Sequence, residues 1–270
     1  MPSDGDLVYA VGLLSYEFGS DAVRDSIMQN MDEGANPYDQ LQLLAYLERN
    51  PWDAVSIVWT LNVENLPIYS VVPDGPFGAE VYSRLRKYLG EQLKEGVERV
   101  SIPGIVKGHT KLTHYVVPSL QPEIRGMHSW SVAGLVQAVC GQQPTKDKPR
   151  ELEAYTAKVQ GVKNFLDRTY YELRNRGLSP DERARNYAAS NAFNVARIFE
   201  GAVKDEMELD SIEVVRSPIS RPKSDCWDVK LRFFDPKRRL ERAAKVYRFT
   251  VDVSAVYPVA LGGLRSWSVY

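Results

Sequence analysis

The stretch CWDVKLRFF, residues 226–234, alternates apolar and polar side chains along its length. Because successive side chains of a β-strand point to opposite faces, this pattern predicts a strand with one apolar and one polar face. The apolar face would carry Trp227, Val229, Leu231 and Phe233. The polar face would carry Cys226, Asp228, Lys230 and Arg232. Such alternation is typical of antiparallel sheets that pack one face on a core and leave the other in water.

The segments on either side of this strand extend the same architecture. SIEVV at 211–215 and VYRFTVDVS at 246–254 indicate two further strands. Apolar residues at helical spacing over 152–173 predict a long helix, and a second apolar stripe over 184–203 predicts another. SPDE at 179–182 has the form of a capping box that would start the second helix. We expect these helices to form a hairpin that covers the aromatic face of the sheet.

A polar segment, GQQPTKDKPR at 141–150, is the clearest linker in the chain. It predicts two α+β halves, residues 1–142 and 150–270, although one continuous domain also fits the pattern. In the first half, a strand over 7–18 precedes a helix that Asn36 would cap, and a hairpin with Asn65 in its turn follows. In each half we expect helices on one face of an antiparallel sheet.

The bulk composition excludes several classes of protein. With 44% hydrophobic residues, 26% charged residues and a net charge of -1, the chain is typical of globular proteins without a general attraction to nucleic acid or membranes. Its two cysteines form no CxxC pair, which argues against a disulfide framework or a structural zinc site. No apolar run is long enough to span a bilayer, and the start lacks a signal-peptide pattern. We therefore expect a cytoplasmic protein with no membrane partner.

The motifs of common catalytic sites are missing. There is no GxSxG nucleophile elbow and no glycine-rich phosphate loop. The histidines, His109, His114 and His128, match no metal-binding spacing. Cys226 follows the acidic Asp225, which disfavours a reactive thiolate, so a packed thiol is expected. The sequence therefore predicts no catalytic residue, no cofactor and no metal ion.

One region is strongly basic. Between Val214 and Arg248 there are eleven lysines and arginines against four acids. The excess predicts a surface for an anion or an acidic peptide, with nucleic acid a poorer candidate because nearby aromatic side chains lie on the core face. The candidate partner-binding residues are Arg216, Arg221, Lys223, Lys230 and Arg232. The alternative is that these positions are polar only because they face water.

Several long blocks resemble a known family. MELDSIEVVRSPISRPKSDCWDVKLRFFDP at 207–236, with VYRFTVDVS, resembles the C-terminal domain of unknown function of PatA- and PatG-type maturation proteases of cyanobactin biosynthesis. VYAVGLLSYEFGSDAVRDS at 8–26, ERVSIPG at 98–104 and the segment 35–69 resemble the region that precedes this domain in the PatG type. The resemblance covers most of the chain.

The resemblance implies a role in making ribosomally synthesised, macrocyclised peptides of the patellamide kind. In that family, leader cleavage and macrocyclisation belong to subtilisin-like domains, whose Asp, His and Ser motifs are not found in this sequence. It therefore implies a non-catalytic accessory domain for binding or scaffolding. The expected partners are the precursor or product peptide, the protease and macrocyclase domains, or a second copy in a homodimer.

Two alternatives stay open. The chain could be a peptide-tailoring enzyme that takes its base from His109, His114, His128 or Asp225. It could also be an oligomerisation module that stabilises the maturation enzyme.

Overall fold

The computed structural model describes residues 2–145, 148–172, 174–190, 198, 207–219, 222–238 and 241–270. The chain forms two compact units, Met1–Ser131 and Val132–Tyr270. The boundary lies one helix earlier than the predicted linker at 141–150. The helix before this linker, Val132–Cys140, packs against the helix after it, Pro149–Glu172, and both belong to the second unit. Both units combine helices with a sheet, so the predicted α+β class is confirmed.

The first unit contains six strands and three α-helices. The strands are β1 Leu7–Glu17, β2 Val58–Val63, β3 Leu66–Val71, β4 Arg99–Lys111, β5 Val116–Pro122 and β6 His128–Trp130. The helices are α1 Asp21–Asn30, α2 Gln40–Arg49 and α3 Gly78–Lys94, with a 3-10 helix at Pro51–Val55. The predicted hairpin is confirmed, with Glu64 and Asn65 between β2 and β3.

The sheet of the first unit closes into a barrel. Its strand order is β1-β2-β3-β5-β4-β6, and β1 also pairs with β4. All pairings are antiparallel except that of β3 with β5. The expectation of an antiparallel sheet therefore holds for every pairing of this unit but one, and the closure of the sheet was not predicted. Closure brings together strands that lie far apart in the sequence, which local alternation cannot reveal.

The long first strand makes closure possible because it serves two neighbours. Its first half, up to Gly12, pairs with β4, and its second half, from Leu13, pairs with β2. At the change of partner, the Gln92 side chain of α3 accepts a hydrogen bond from the Leu14 amide and donates one to the Leu14 carbonyl, both at 3.0 Å. These two bonds fasten α3 to the barrel wall.

The connection from β1 to β2 carries α1, α2 and the 3-10 helix. Ser20 caps α1, because its hydroxyl accepts from the Val23 amide. Asp39 caps α2 by accepting from the amides of Leu41 and Gln42, so the expected cap at Asn36 is wrong by three residues. The Asn36 side chain instead accepts from the Tyr38 amide at 3.0 Å and forms a turn ahead of the helix.

The second unit contains three α-helices and four strands among the described residues. The helices are α4 Val132–Cys140, α5 Pro149–Glu172 and α6 Pro180–Ser190. The strands are β7 Glu208–Arg216, β8 Cys226–Phe234, β9 Ala244–Asp252 and β10 Val259–Val269. The sheet is antiparallel in the order β10-β9-β8-β7. The three predicted strands are confirmed, and β10 is an addition that the sequence analysis did not predict.

The register confirms the apolar face predicted for β8, whereas Cys226 and Asp228 of the predicted water-facing side are buried. Val229 and Leu231 lie opposite Phe249 and Tyr247 of β9, and all four are buried. Helix α6 packs on this sheet, and Arg183 donates to the Val253 carbonyl at 2.9 Å.

The capping box of α6 is present in part. The Glu182 carboxylate accepts from the amides of Leu178 and Ser179. Ala184 and Ala188 of the predicted stripe are buried, whereas the remaining positions of that stripe lie outside the described residues.

Candidate ligand-binding groove

A groove of about 460 Å³ opens at one rim of the barrel. Three separate segments line it: the end of β1 with the start of α1 (residues 16–21 and 24), Tyr38 before α2, and the end of β4 with the following turn (residues 111–113). All of them belong to the first unit. A volume of this size is typical of pockets that bind small molecules or a few residues of a polymer.

One wall of the groove is aromatic. The Phe18 ring is buried and makes edge-to-face contacts with Tyr16, at 5.6 Å, and with Tyr38, at 5.5 Å between ring centres. The Tyr38 side chain is 63% exposed, so part of its ring is available to a ligand. The Tyr16 hydroxyl donates to the Pro37 carbonyl at 2.9 Å, which holds the turn that carries Tyr38 against β1.

A guanidinium group lies beside this wall. Arg24 forms ion pairs with Asp21, at 2.7 Å, and with Asp25, at 2.8 Å, and donates to the Tyr38 hydroxyl at 3.4 Å. The hydrogen bonds to Tyr38 and then Asp25 raise the pKa of the Arg24 guanidinium, so it remains charged. Arg24 thereby fixes the position of the exposed Tyr38 ring.

The opposite wall comes from the turn after β4. The Glu17 carboxylate accepts hydrogen bonds from the Thr113 amide, at 2.9 Å, and the Thr113 hydroxyl, at 3.0 Å, which joins this turn to β1. Leu112 is buried beneath the groove, and its amide donates to the Tyr115 carbonyl. Lys111 is exposed, and its side chain makes no hydrogen bond or ion pair within the described part of the chain. The groove therefore presents one ammonium group that is open to a ligand.

The structure separates the five cations that the sequence predicted to bind a partner. Lys230 pairs with Glu213 at 3.1 Å, and Arg232 pairs with Asp210 at 3.6 Å, so both charges are partly compensated. Arg216 lies opposite Trp227 at the end of β7, on the other face of the sheet from Lys230 and Arg232. Lys223 is exposed in the loop before β8, with a φ of 69°. Arg221 lies outside the described residues.

The candidate bases and the thiols are also dispersed. His109 is exposed on β4, His114 is exposed in the turn that follows, and His128 on β6 contacts the Gly126 carbonyl at 3.1 Å. The Asp225 carboxylate accepts from the Trp227 indole at 2.9 Å. Across residues 2–145 and the later described ranges, no three histidine, cysteine or acidic side chains are placed to hold a metal ion.

Both cysteines are unbridged thiols. Cys226 is buried, and its sulfur contacts the Ser224 hydroxyl at 3.4 Å, in keeping with the predicted packed thiol. Burial raises the pKa of the half-buried Cys140 thiol, and the nearby Lys158 offsets this only in part. A raised pKa lowers the fraction of reactive thiolate at neutral pH.

Sequence reasoning missed the groove and its lining residues. Arg24 and Lys111 each stand in a segment without any motif that marks a binding site. The signal that was available is SYEF at 15–18, in which two aromatic residues stand at the end of a strand. Nothing local relates those residues to the end of β4, nearly a hundred residues later.

The two units together define a class of protein: an α+β domain that joins a closed barrel with helical insertions to a four-stranded antiparallel sheet with helices. Two family models match it, one described as PatG Domain over residues 7–114 and one as PatG C-terminal over residues 153–267. A solved structure described as a PatG domain of unknown function superposes with a TM-score of 0.87 at 38% identity, covering 98% of this chain and 100% of that one. The chain belongs to this family of PatG domains.

The chain matches no curated protein. No helix in the described ranges combines the length and the apolar character needed to cross a bilayer.

Proposed function

We propose that this chain is a non-catalytic accessory domain of a PatG-type maturation enzyme, and that the groove of the first unit binds a segment of a polypeptide. The observation that carries the proposal is the lining of the groove. It combines the exposed Tyr38 ring with the open ammonium of Lys111 and with groups already organised by hydrogen bonds, Arg24 and Glu17. Binding sites with an aromatic anchor and a few fixed polar groups are typical of specific recognition.

The mixed charge of the lining favours a polypeptide over a nucleic acid. Glu17 and Asp21 contribute two carboxylates to the same groove as Arg24 and Lys111. A nucleic acid carries a negative charge on every phosphate and would meet both carboxylates. A polypeptide offers amide donors, carbonyl acceptors and isolated charges, which suit a lining of both signs.

The connectivity of the barrel supports a binding role by analogy. A five-stranded barrel closed in the order β1-β2-β3-β5-β4, with β3 and β5 parallel and a helix between β3 and β4, has the topology of the OB-fold. OB-folds bind oligonucleotides and oligosaccharides along β2 and β3 and between the loops that follow β1 and β4, so the analogy supports a binding site here and does not select a polypeptide. The groove lies between the corresponding loops. This argument is an analogy between folds and adds only to the argument from the lining.

The proposal is tested by titrating the full chain with the precursor peptide of a PatG-type pathway and with its macrocyclic product, using calorimetry. We expect binding to at least one of them, and Tyr38→Ala should weaken it on the order of tenfold because the exposed ring is lost. Tyr171→Ala removes a tyrosine of the second unit that is 69% exposed, and it should leave the affinity unchanged. Absence of binding to both ligands, or an unchanged affinity of Tyr38→Ala, would contradict the proposal.

A surface of the second unit is the competing binding site. Arg216 and Lys223 are exposed and, among the residues described, form no ion pair. If they recognise the peptide, the double variant Arg216→Glu with Lys223→Glu should lower the affinity for the peptide more than Tyr38→Ala does. The same titration therefore decides between the groove and this surface.

A second candidate function is self-association. Trp52 is 82% exposed and Val55 is 61% exposed on the 3-10 helix after α2, where positions three apart share a face. Exposed tryptophan is enriched where proteins meet. Light scattering should then detect a dimer that Trp52→Ser converts to a monomer; a monomeric wild-type chain would exclude this function.

A further inference from the structure

A row of cationic and imidazole side chains runs along the second half of β4 towards the groove. Lys107, His109 and Lys111 are all exposed, and we call them the β4 strip. None of the three side chains makes a hydrogen bond or an ion pair within the ranges that the structure describes. Lys111 belongs both to the strip and to the lining of the groove. The strip therefore extends the groove with charges that no neighbouring group of the chain compensates directly.

The register of β4 places His109 and Lys111 on one face of the strand, beyond the bulge that contains Lys107. His109 lies opposite Pro118 and Lys111 lies opposite Val116, after a bulge between Val106 and His109. Opposite residues of paired strands share a face. Val116 is exposed, so this face is open to solvent at Lys111, whereas Pro118, opposite His109, is buried. The intervening Thr110 points the other way and hydrogen-bonds with Ser70 and Ser119 at 2.7 Å.

Three acids near the strip accept hydrogen bonds from backbone amides, one of them from Gly108 within the strip itself. The Asp4 carboxylate accepts from the Gly108 amide at 2.6 Å. The Asp6 carboxylate accepts from the Ser3 amide at 2.7 Å. Glu17, at the groove end, is held by Thr113. None of these carboxylates forms an ion pair with Lys107 or Lys111, so both ammonium groups are available to a ligand.

We infer that the β4 strip binds acidic side chains of the same polypeptide that occupies the groove, an inference that rests on the proposed function. The bulge of β4 falls at Lys107 and Gly108, so the three side chains of the strip do not follow regular strand spacing, and His109 lies between the two lysines along the chain. A polypeptide with several acids in a short segment can place carboxylates beside both lysines. The strip thus selects ligands with an acidic segment next to the part that enters the groove.

The test compares the precursor peptide with the same peptide in which every Asp and Glu is replaced by Asn and Gln. Both are titrated under the same conditions of pH and ionic strength. The wild-type chain should bind the acidic peptide on the order of tenfold more tightly than the amide peptide. Lys107→Glu with Lys111→Glu should remove this preference. Lys107→Glu alone should reduce it, although Lys107 does not line the groove.

The matched control is Lys163→Glu, an exposed lysine of α5 that the structure shows with no partner among the residues described. It changes the net charge by the same amount as Lys107→Glu alone and should leave the preference intact. Thermal unfolding of each variant establishes that the barrel is folded.

The outcomes separate this inference from the proposed function. If the wild-type chain binds neither peptide, the proposed function fails first. If it binds both equally, or if Lys107→Glu changes both affinities by the same factor, the groove stands and the strip has no such role. A ten-nucleotide oligothymidine serves as the nucleic-acid probe. If the wild-type chain binds it more tightly than the acidic peptide, and if Lys107→Glu abolishes that binding, the strip binds nucleic acid and the inference is overturned.

Discussion

Two tyrosines of the first unit hold the long β1–β2 connection in place through their hydroxyls. Tyr16 donates to the Pro37 carbonyl, and Tyr46 donates to the Asp53 carboxylate. Burial, and then the negative charge of Asp39, raises the pKa of Tyr16 to about 12. Burial, and then the hydrogen bond with Asp53, raises the pKa of Tyr46 to about 12. Both residues are therefore favoured in their neutral form by the folded chain.

This arrangement predicts a loss of stability in strong base. A tyrosine in the unfolded chain ionises near pH 10, so between about pH 10 and 12 the unfolded state binds fewer protons than the folded state. Below about pH 10 the two tyrosines contribute their full stabilisation of the folded state. The free energy of unfolding should then fall as the pH rises from about 10 through 12. Urea denaturation between pH 9 and 12 measures the slope. The slope should be shallower in Tyr16→Phe with Tyr46→Phe; an identical slope would refute the assignment.

Gly12 is the position at which β1 changes partner, and its neighbours leave no room for a side chain. A Cβ atom at this position would lie 2.4 Å from the Asn62 carbonyl oxygen, which is backbone of the adjoining strand. Gly12→Ala must therefore push β1 and β2 apart, and we expect a loss of about 1–3 kcal/mol. Gly78→Ala is the control, because its Cβ would have only the Pro73 oxygen, at 3.9 Å. Urea denaturation of both variants provides the measurement, and equal stabilities would show that the strands can adjust.

At the scale of elements, the sequence predicts what local chemistry determines. The alternation in β8 and β9 and the helical spacing in α3 and α5 identify those elements, because each pattern repeats within one segment. Strand β10 was not predicted, because Gly262 and Gly263 interrupt its alternation of apolar and polar residues. The structure has a register shift at these glycines. Capping signals are weaker, since Asn36 and Asp39 are both suitable residues and only the course of the chain decides between them.

The cap of α6 is an element that can be tested by itself. Glu182 satisfies two amides that precede the helix, those of Leu178 and Ser179. Glu182→Ala leaves both without this acceptor and should cost about 1 kcal/mol of stability. Glu153→Ala removes an exposed carboxylate of α5 that caps no helix among the described residues, and it should change the stability little. The helical signal in circular dichroism, followed against urea, compares the two; a larger loss for Glu153→Ala would contradict the assignment.

At the scale of the molecule, the candidate site depends on long-range pairing. The groove needs the end of β1 to lie beside the turn after β4, where Glu17 contacts Thr113, and that arrangement follows from barrel closure. Composition and periodicity carry no information about the closure of a barrel. From the sequence, a binding site was therefore expected where charged residues are dense along the chain. Lys230 and Arg232 illustrate the difference, because their apparent excess is partly balanced by Glu213 and Asp210 from the neighbouring strand.

The division into two units leads to the last prediction. Each strand of the barrel finds its partners within residues 1–131, and the lining of the groove lies in the same range. Because a closed barrel leaves few unpaired strand edges, we expect residues 1–131 to fold when expressed alone. Urea denaturation should show one cooperative transition, and calorimetry should give the precursor peptide an affinity within about twofold of that of the full chain. Cooperative folding without binding would mean that residues outside the barrel contribute to the site, and a non-cooperative transition would mean that the barrel depends on the second unit for its stability.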